Sequence, residues 1–208
     1  MNRRLAVLIS GRGSNLQSII DAIARGDLDA TIAVVVSNRG DAGGLLRARD
    51  AGIETLVLGS RDYASRDVYD QALADALRAR NVGLICLAGF MRLVGAPLLR
   101  AFPDRVLNIH PSLLPAFPGL EAQRQAIEHG VRVSGATVHL VTAELDGGPI
   151  ILQSSVPVFD GDTPDTLAAR ILIQEHRIYP DAIGIVLNGK WKLVGRRFVM
   201  NPGDSTTL

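Results

Sequence analysis

The sequence predicts an α/β fold: a doubly wound, mostly parallel sheet of about seven strands flanked by helices. Three observations predict it. Short continuous apolar runs recur along the chain, each the length of a strand buried on both faces. Segments of helical period separate most of them. Glycine and proline mark the joins, as at Gly26, Gly52 and Pro111. Repeated strand–helix units call for right-handed crossovers, and these generate a mostly parallel sheet with helices on its faces.

Residues 5–10 are the first apolar run. Ser14–Arg25 then follows the helical period, with Leu16, Ile19, Ile20 and Ile23 on one face. Ser14 reads as the N-cap, Gln17 completes a capping box, and Gly26 ends the helix. Residues 31–36 are the second strand, 45–50 a short helix stopped by Gly52, and 53–58 the third strand. Ser65 caps a helix reaching Arg80, and residues 82–88 are a buried strand. About one helical turn at 98–102 precedes a strand at 105–109. Beyond a proline-rich loop, residues 121–129 are helical, and 134–141 and 150–158 are strands. Thr163 caps a long helix, with Pro164 at the first position, where an N–H is not needed. That helix is expected to run to about Tyr179 and to bend or restart at Pro180. From Lys190 onward, alternating apolar residues with Lys192, Arg196 and Arg197 read as a solvated edge hairpin. No linker, repeat or low-complexity segment interrupts the chain.

With 208 residues the chain is long enough for one domain with a sizeable core. Its 47% hydrophobic and 21% charged residues are an ordinary globular balance, which excludes disorder. The net charge of +1 excludes the field expected of a dedicated nucleic-acid binder. No apolar run approaches the length of a membrane-spanning helix. Met1-Asn2-Arg3-Arg4 leads straight into a short strand, without a signal-peptide core. The single cysteine, Cys86, lies in an apolar run and fits a reducing compartment. A soluble cytoplasmic protein is expected.

Three segments carry chemistry. Ser10-Gly11-Arg12-Gly13-Ser14-Asn15 joins the first strand to the first helix, where free backbone N–H groups and the helix dipole favour an anion. It could also be only a tight connection. A dinucleotide fingerprint would need glycine where Leu16 stands and an acid where Ser37-Asn38 ends the second strand; no Gly-Lys-Ser/Thr follows either. A phosphate monoester fits better than a dinucleotide or a triphosphate. In the second segment, residues 108–115, alternation puts Asn108 and His110 on one side of a strand, at its carboxyl end. An amide donor beside an imidazole suits an oxyanion and a proton transfer, although both could be loop hydrogen-bonders. In the third, Leu145-Asp146-Gly147-Gly148-Pro149, Asp146 is either a turn former or a carboxylate facing His110 that favours its charged form and raises its pKa. No pair of histidines has metal-binding helical spacing, so no metal is expected. His139 either lines this site or is a satisfied core residue.

These segments, with Leu87-Ala88-Gly89-Phe90-Met91-Arg92, resemble the folate-dependent formyltransferases, and among them the phosphoribosylglycinamide formyltransferase family. The match is in order and spans nearly the whole chain. The resemblance implies a single formyltransferase domain over 1–208, with a nucleotide-binding half (1–100), a catalytic and folate half (101–189) and a C-terminal tail (190–208). It implies 10-formyltetrahydrofolate as co-substrate and glycinamide ribonucleotide as acceptor, with no nucleic acid, no membrane, and a monomer or weak homodimer in the cytoplasm. Asn108, His110 and Asp146 carry over as the catalytic trio. Gly13, Ser14, Asn15, Gln174 and Glu175 carry over to the nucleotide, the turn meeting its phosphate and Glu175 its ribose. Arg66, Phe90, Met91, Arg92, Leu93 and Val94 carry over to the folate, together with Asn108 and the loop Thr142, Ala143, Glu144, Leu145 and Asp146.

The chain departs from the family's pattern at three places. Leu172 stands where relatives carry a Gln or Lys toward the phosphate, Ala143 where an Asp is common, and Glu121 where a His is common. Arg12 could supply the missing cation, or it could point to solvent. Rival functions are a formate-releasing hydrolase of the folate group, a formyltransferase acting on initiator tRNA, and a catalytically silent nucleotide-binding module. The first two usually carry an added N-terminal or basic C-terminal domain, and the last would not need the trio.

Overall fold

A computed structural model describes residues 2–201; the last part of the expected tail, 202–208, lies outside the described residues. The main sheet has seven strands in the order β3-β2-β1-β4-β5-β6-β7, and a two-stranded sheet, β8-β9, stands apart from it. The chain divides into two units at the end of Asn108.

The first unit holds β1 (Arg4–Ile9), α1 (Ser14–Arg25), β2 (Thr31–Ser37), α2 (Gly44–Asp50), β3 (Thr55–Val57), α3 (Arg66–Arg78), β4 (Leu84–Leu87), α4 (Ala96–Ala101) and most of β5 (Val106–His110). β1 pairs in parallel with both β2 and β4, and β4 pairs in parallel with β5, so that Leu87 lies opposite Asn108. Leu5 through Ile9 are wholly inaccessible, as are Leu84, Ile85 and Cys86. Such side chains contribute roughly 1.5–3 kcal/mol each, which is why these strands read as unbroken apolar runs. Burial also pushes the Cys86 thiol pKa up, making it an inert core group.

The start of α1 differs from expectation. Ser14 is the first helical residue, and Gly13 caps the helix in the left-handed region (φ 73°) with no side-chain cap bond. A Cβ on Gly13 would stand 2.6 Å from the Gly44 Cα, so close packing of α2 on this turn sets the helix start. Gln17, free of the capping box, donates to Asp21 Oδ1 at 2.8 Å. Ser65 caps α3 as expected, accepting from Val68 N.

The second unit holds α5 (Ala122–Glu128), β6 (Val133–Leu140), β7 (Ile150–Pro157), α6 (Pro164–Asn188), β8 (Trp191–Val194) and β9 (Arg197–Met200). β6 and β7 are antiparallel. Thr163 and Thr166 form a reciprocal capping box on α6. Contrary to expectation, α6 neither ends nor restarts at Pro180 but runs on to Asn188. An interior proline costs about 3 kcal/mol. Against that, Ala182, Ile183, Val186 and Leu187 beyond it are all buried, with the larger ones contributing roughly 1.5–3 kcal/mol each. The expected C-terminal hairpin forms, but as its own two-stranded sheet rather than at the edge of the main one. Trp191 stacks on Phe198 (centroids 4.7 Å apart) and donates its indole N–H to Val186 O. No helix among the described residues is long and apolar enough to cross a membrane.

Candidate active site

The turn after β1 is tied down from two sides. Ser10 N donates to Gly89 O, and Ser10 Oγ donates to Asn38 Oδ1 at 2.6 Å while accepting from Met91 N at 2.9 Å. The Gly-rich turn and the segment after β4 are therefore held together at neighbouring strand ends. On the other side, Arg47 of α2 donates from Nε to Arg12 O (2.9 Å) and from Nη1 to Gln17 Oε1 (3.2 Å). Arg12 itself is exposed. The guanidinium fastened to this turn is thus that of Arg47, a residue the sequence did not single out.

The segment after β4 presents Met91 and Leu93 to solvent, at 71% and 57% exposure, while Val94 is buried and Phe90 and Arg92 are intermediate. Exposed apolar side chains next to a fixed turn suit a flat apolar ligand better than a core. Arg92 lies over the Tyr69 ring, 4.7 Å from its centroid. Asp70 is buried, accepts from Gly95 N at 2.7 Å, and lies 3.9 Å from Arg66 Nε. Burial raises the Asp70 pKa, opposed by the Gly95 amide and by the charges of Arg66 and Arg92. Both arginines therefore converge on one corner. Tyr69 Oη and Arg92 Nε are buried there without a hydrogen-bond partner among the described residues. Burial pushes the Tyr69 phenol up to about 12, so it stays a neutral donor.

The second unit gathers the titratable groups. His110 is 5% exposed and His139 2% exposed. Asp146 stands between them: its Oδ2 is 3.5 Å from His110 Nδ1, and its Oδ1 is 3.6 Å from His139 Nε2. The Gly119 amide donates to Asp146 Oδ2 at 2.8 Å. His110 Nε2 is 2.8 Å from Phe117 O, and His139 Nδ1 is 3.0 Å from Leu140 O. A carbonyl can only accept, so each of these nitrogens carries a proton. In their neutral forms both rings consequently turn an unprotonated nitrogen toward Asp146. A proton added to His110 would sit beside the Asp146 carboxylate.

The Asp146 charge acts on His110 in the expected direction but does not decide the net shift. The His110 pKa is lowered rather than raised, because burial outweighs the Phe117 carbonyl and the Asp146 charge, which both favour the protonated ring; the His139 charge also disfavours it. For Asp146 burial is again the largest single influence and favours the neutral acid. His139, the Gly119 amide and His110 together overcome it, and the carboxyl lies below its usual range. Asp146 is thus an anion at neutral pH beside an imidazole that gives up its extra proton easily. Asp146 lies in the turn at φ 48°, and its carboxylate faces His110.

Glu175 is buried in α6, 7% exposed, not the solvated helix acid that a charged residue on a helix would ordinarily be. Gln174 Oε1 accepts from Ser154 Oγ of β7 at 2.8 Å. Leu172 is partly buried one turn earlier. Thr142, Ala143, Glu144 and Leu145 are all exposed, and Asn108, on the same face of β5 as His110, is intermediate. Gly13 to Asn15, Arg66 and residues 90–94 thus belong to the first unit, and the His110–Asp146–His139 cluster with residues 142–145, 174 and 175 to the second. Among the described residues no group of three or more His, Cys, Asp or Glu is placed to hold a metal ion.

The first unit thus carries a phosphate-type turn after a parallel strand, and the second a buried imidazole beside an acidic loop, features that suit a group-transfer enzyme. The chain belongs to the Formyl transferase family, whose model matches residues 3–183. It is similar to the phosphoribosylglycinamide formyltransferase of Escherichia coli, with 48% identity over 189 residues that cover 91% of this chain and 89% of that enzyme. It is also 50% identical over 190 residues to the trifunctional purine biosynthetic protein adenosine-3 of Drosophila melanogaster, covering 90% of this chain but 14% of that much longer protein. Among solved structures, glycinamide ribonucleotide transformylase 1 from Symbiobacterium toebii superposes with a TM-score of 0.95 at 57% identity, covering 96% of this chain and 94% of the other.

Proposed function

We propose that this chain transfers the formyl group of 10-formyltetrahydrofolate to the amine of glycinamide ribonucleotide, as one formyltransferase domain working in the cytoplasm. The observation that carries the reading is the buried His110–Asp146–His139 cluster on a chain of this family. The amine nitrogen attacks the formyl carbon, and the carbonyl oxygen becomes an oxyanion. Asn108 donates an amide N–H to that oxyanion, and protonated His110 donates its Nε2–H. The neutral Phe117 carbonyl now accepts that proton; a full anion is the stronger acceptor. The intermediate collapses by breaking the bond from carbon to folate N10. N10 leaves with the proton of His110, and the amine's surplus proton passes back to the His110–Asp146 pair, so the cluster ends as it began. The low His110 pKa suits an acid that must release its proton readily.

The start of α1, where the N-cap Gly13 brings no side-chain cap, suits the nucleotide's phosphate through Gly13, Ser14 and Asn15. Buried Glu175 suits the ribose hydroxyls, with Gln174 beside it on α6. Arg66, Arg92 and the apolar Phe90-Met91 and Leu93-Val94 pairs suit the folate, with residues 142–146 around its pterin.

Arg47 should matter to this site through the turn it fastens. Arg47→Ala is expected to raise the nucleotide KM about tenfold, the scale of one charge-assisted hydrogen bond, and to leave the folate KM almost unchanged. A steady-state titration of each substrate checks this, and an unmoved nucleotide KM would remove Arg47 from the site.

The reaction itself is tested by following folate absorbance with and without glycinamide ribonucleotide. Consumption that needs the amine is the expected result. Equal consumption without it would make the chain a hydrolase.

A further inference from the structure

The C-terminal hairpin reaches back to the loop that carries Asp146. Arg196, in the β8–β9 turn, donates from Nη2 to Gly147 O at 2.6 Å, and its Nη1 lies 3.5 Å from Glu144 Oε2. One guanidinium thus grips residues on both sides of Leu145-Asp146. A cavity of about 510 Å³ opens beside Asp146, bordered by Arg196, Arg197 and Phe198 of the hairpin and by Leu114-Pro115. The hairpin is a fixed post: Trp191 is bonded to the last turn of α6 and stacked on Phe198.

The loop needs a post. Asp146 sits at φ 48°, a left-handed conformation that costs a non-glycine residue roughly 1–2 kcal/mol. Residues 142–145 are exposed, and Leu145 is 54% so. The loop's other restraints are two long bonds to Glu144 O, from Thr142 Oγ1 at 3.4 Å and Gly147 N at 3.3 Å, the Gly119 amide on the Asp146 carboxylate, and the seat of Gly148, where a Cβ would meet Leu140 O at 1.8 Å. None of these holds the carbonyl of the next peptide, Gly147 O, which Arg196 takes.

We propose that Arg196 is a positioning residue. By clamping Gly147 O and Glu144 it holds the 142–147 loop in the shape that both aims Asp146 at His110 and receives the folate. This rests on the catalytic and folate roles proposed above for Asp146 and residues 142–146, and it assigns the C-terminal hairpin a function in the reaction.

The experiment measures, on the full chain, amide hydrogen exchange of residues 144–148 and the two KM values for wild type, Arg196→Ala, Arg196→Lys and Lys192→Ala. Arg196→Ala should speed exchange in the loop and raise the folate KM, each by about tenfold, the scale of one charge-assisted bond. The nucleotide KM and the thermal midpoint should hold. Arg196→Lys keeps a charged donor and should recover part of both effects, and Lys192→Ala, exposed on β8, should match wild type. Unchanged loop exchange, an unchanged folate KM, or equal rises in both KM values would each overturn the proposal. The exchange arm needs no turnover, so a wild type that fails to transfer formyl would sink the reaction assigned above while the clamp is still decided.

Discussion

Removing His110 or Asn108 is expected to stop most of the chemistry while sparing binding. A lost general acid lowers turnover roughly 10²–10⁴-fold, and a lost oxyanion donor roughly 10²–10³-fold. His110→Ala and Asn108→Ala should therefore reduce kcat by those factors, with KM values changing far less, because both groups act most strongly once charge has developed on the formyl oxygen. The imidazole is 5% exposed and closely surrounded by Phe117 O, Asp146 and His139, so no water-borne acid is preorganised to replace it. Steady-state kinetics of the purified variants decide the matter. A variant of either that keeps most of the wild-type kcat would remove that residue from the chemistry.

The second large effect is expected at Asp146, and its sign follows from the cluster. His110 starts below the ordinary imidazole pKa because burial dominates, and the Asp146 charge is one of the two influences pushing the other way. Asp146→Asn deletes that influence, so the His110 pKa must fall further. If protonated His110 is the form that works, activity declines as pH rises through that pKa, and the declining limb of the pH–rate profile should move to lower pH in the variant. At neutral pH the two effects add, since less of the working form is present and the proton relay is broken. An Asp146→Asn enzyme whose limb stays in place would show that the carboxylate does not support the imidazolium. Full activity would exclude the relay as well.

Much of this was legible in the sequence, and for definite reasons. β1 and β4 are buried on both faces, so their composition alone marks them. Asn108 and His110 declare a shared face by alternation on β5. Asp146 pairs with His110 across 36 positions, and the motif identified it, not the spacing. What escaped was set by contacts remote in the chain. The cap of α1 passed from Ser14 to Gly13 because Gly44 packs against that turn. α6 crosses Pro180 because the residues beyond it are buried, a fact that local propensity cannot contain. Arg47 and Arg196 reach their carbonyl partners over 35 and 49 positions, and nothing around either residue signals it. The Asp146 charge acts on the His110 pKa in the direction read from the sequence, but the burial that outweighs it escaped, because a neighbouring acid is visible in a sequence and the depth of burial is not.

The central claim is that one formyl group moves intact from folate nitrogen to nucleotide amine through Asn108, His110 and Asp146. It is tested most directly with a formyl donor labelled with carbon-13, mixed with glycinamide ribonucleotide and enzyme and followed by NMR. The label should leave the donor and reappear as the formamide carbon of the nucleotide product, and the same mixture with His110→Ala should leave the donor signal nearly intact over the same time. Label appearing as free formate, or an equally fast transfer by the variant, would contradict it.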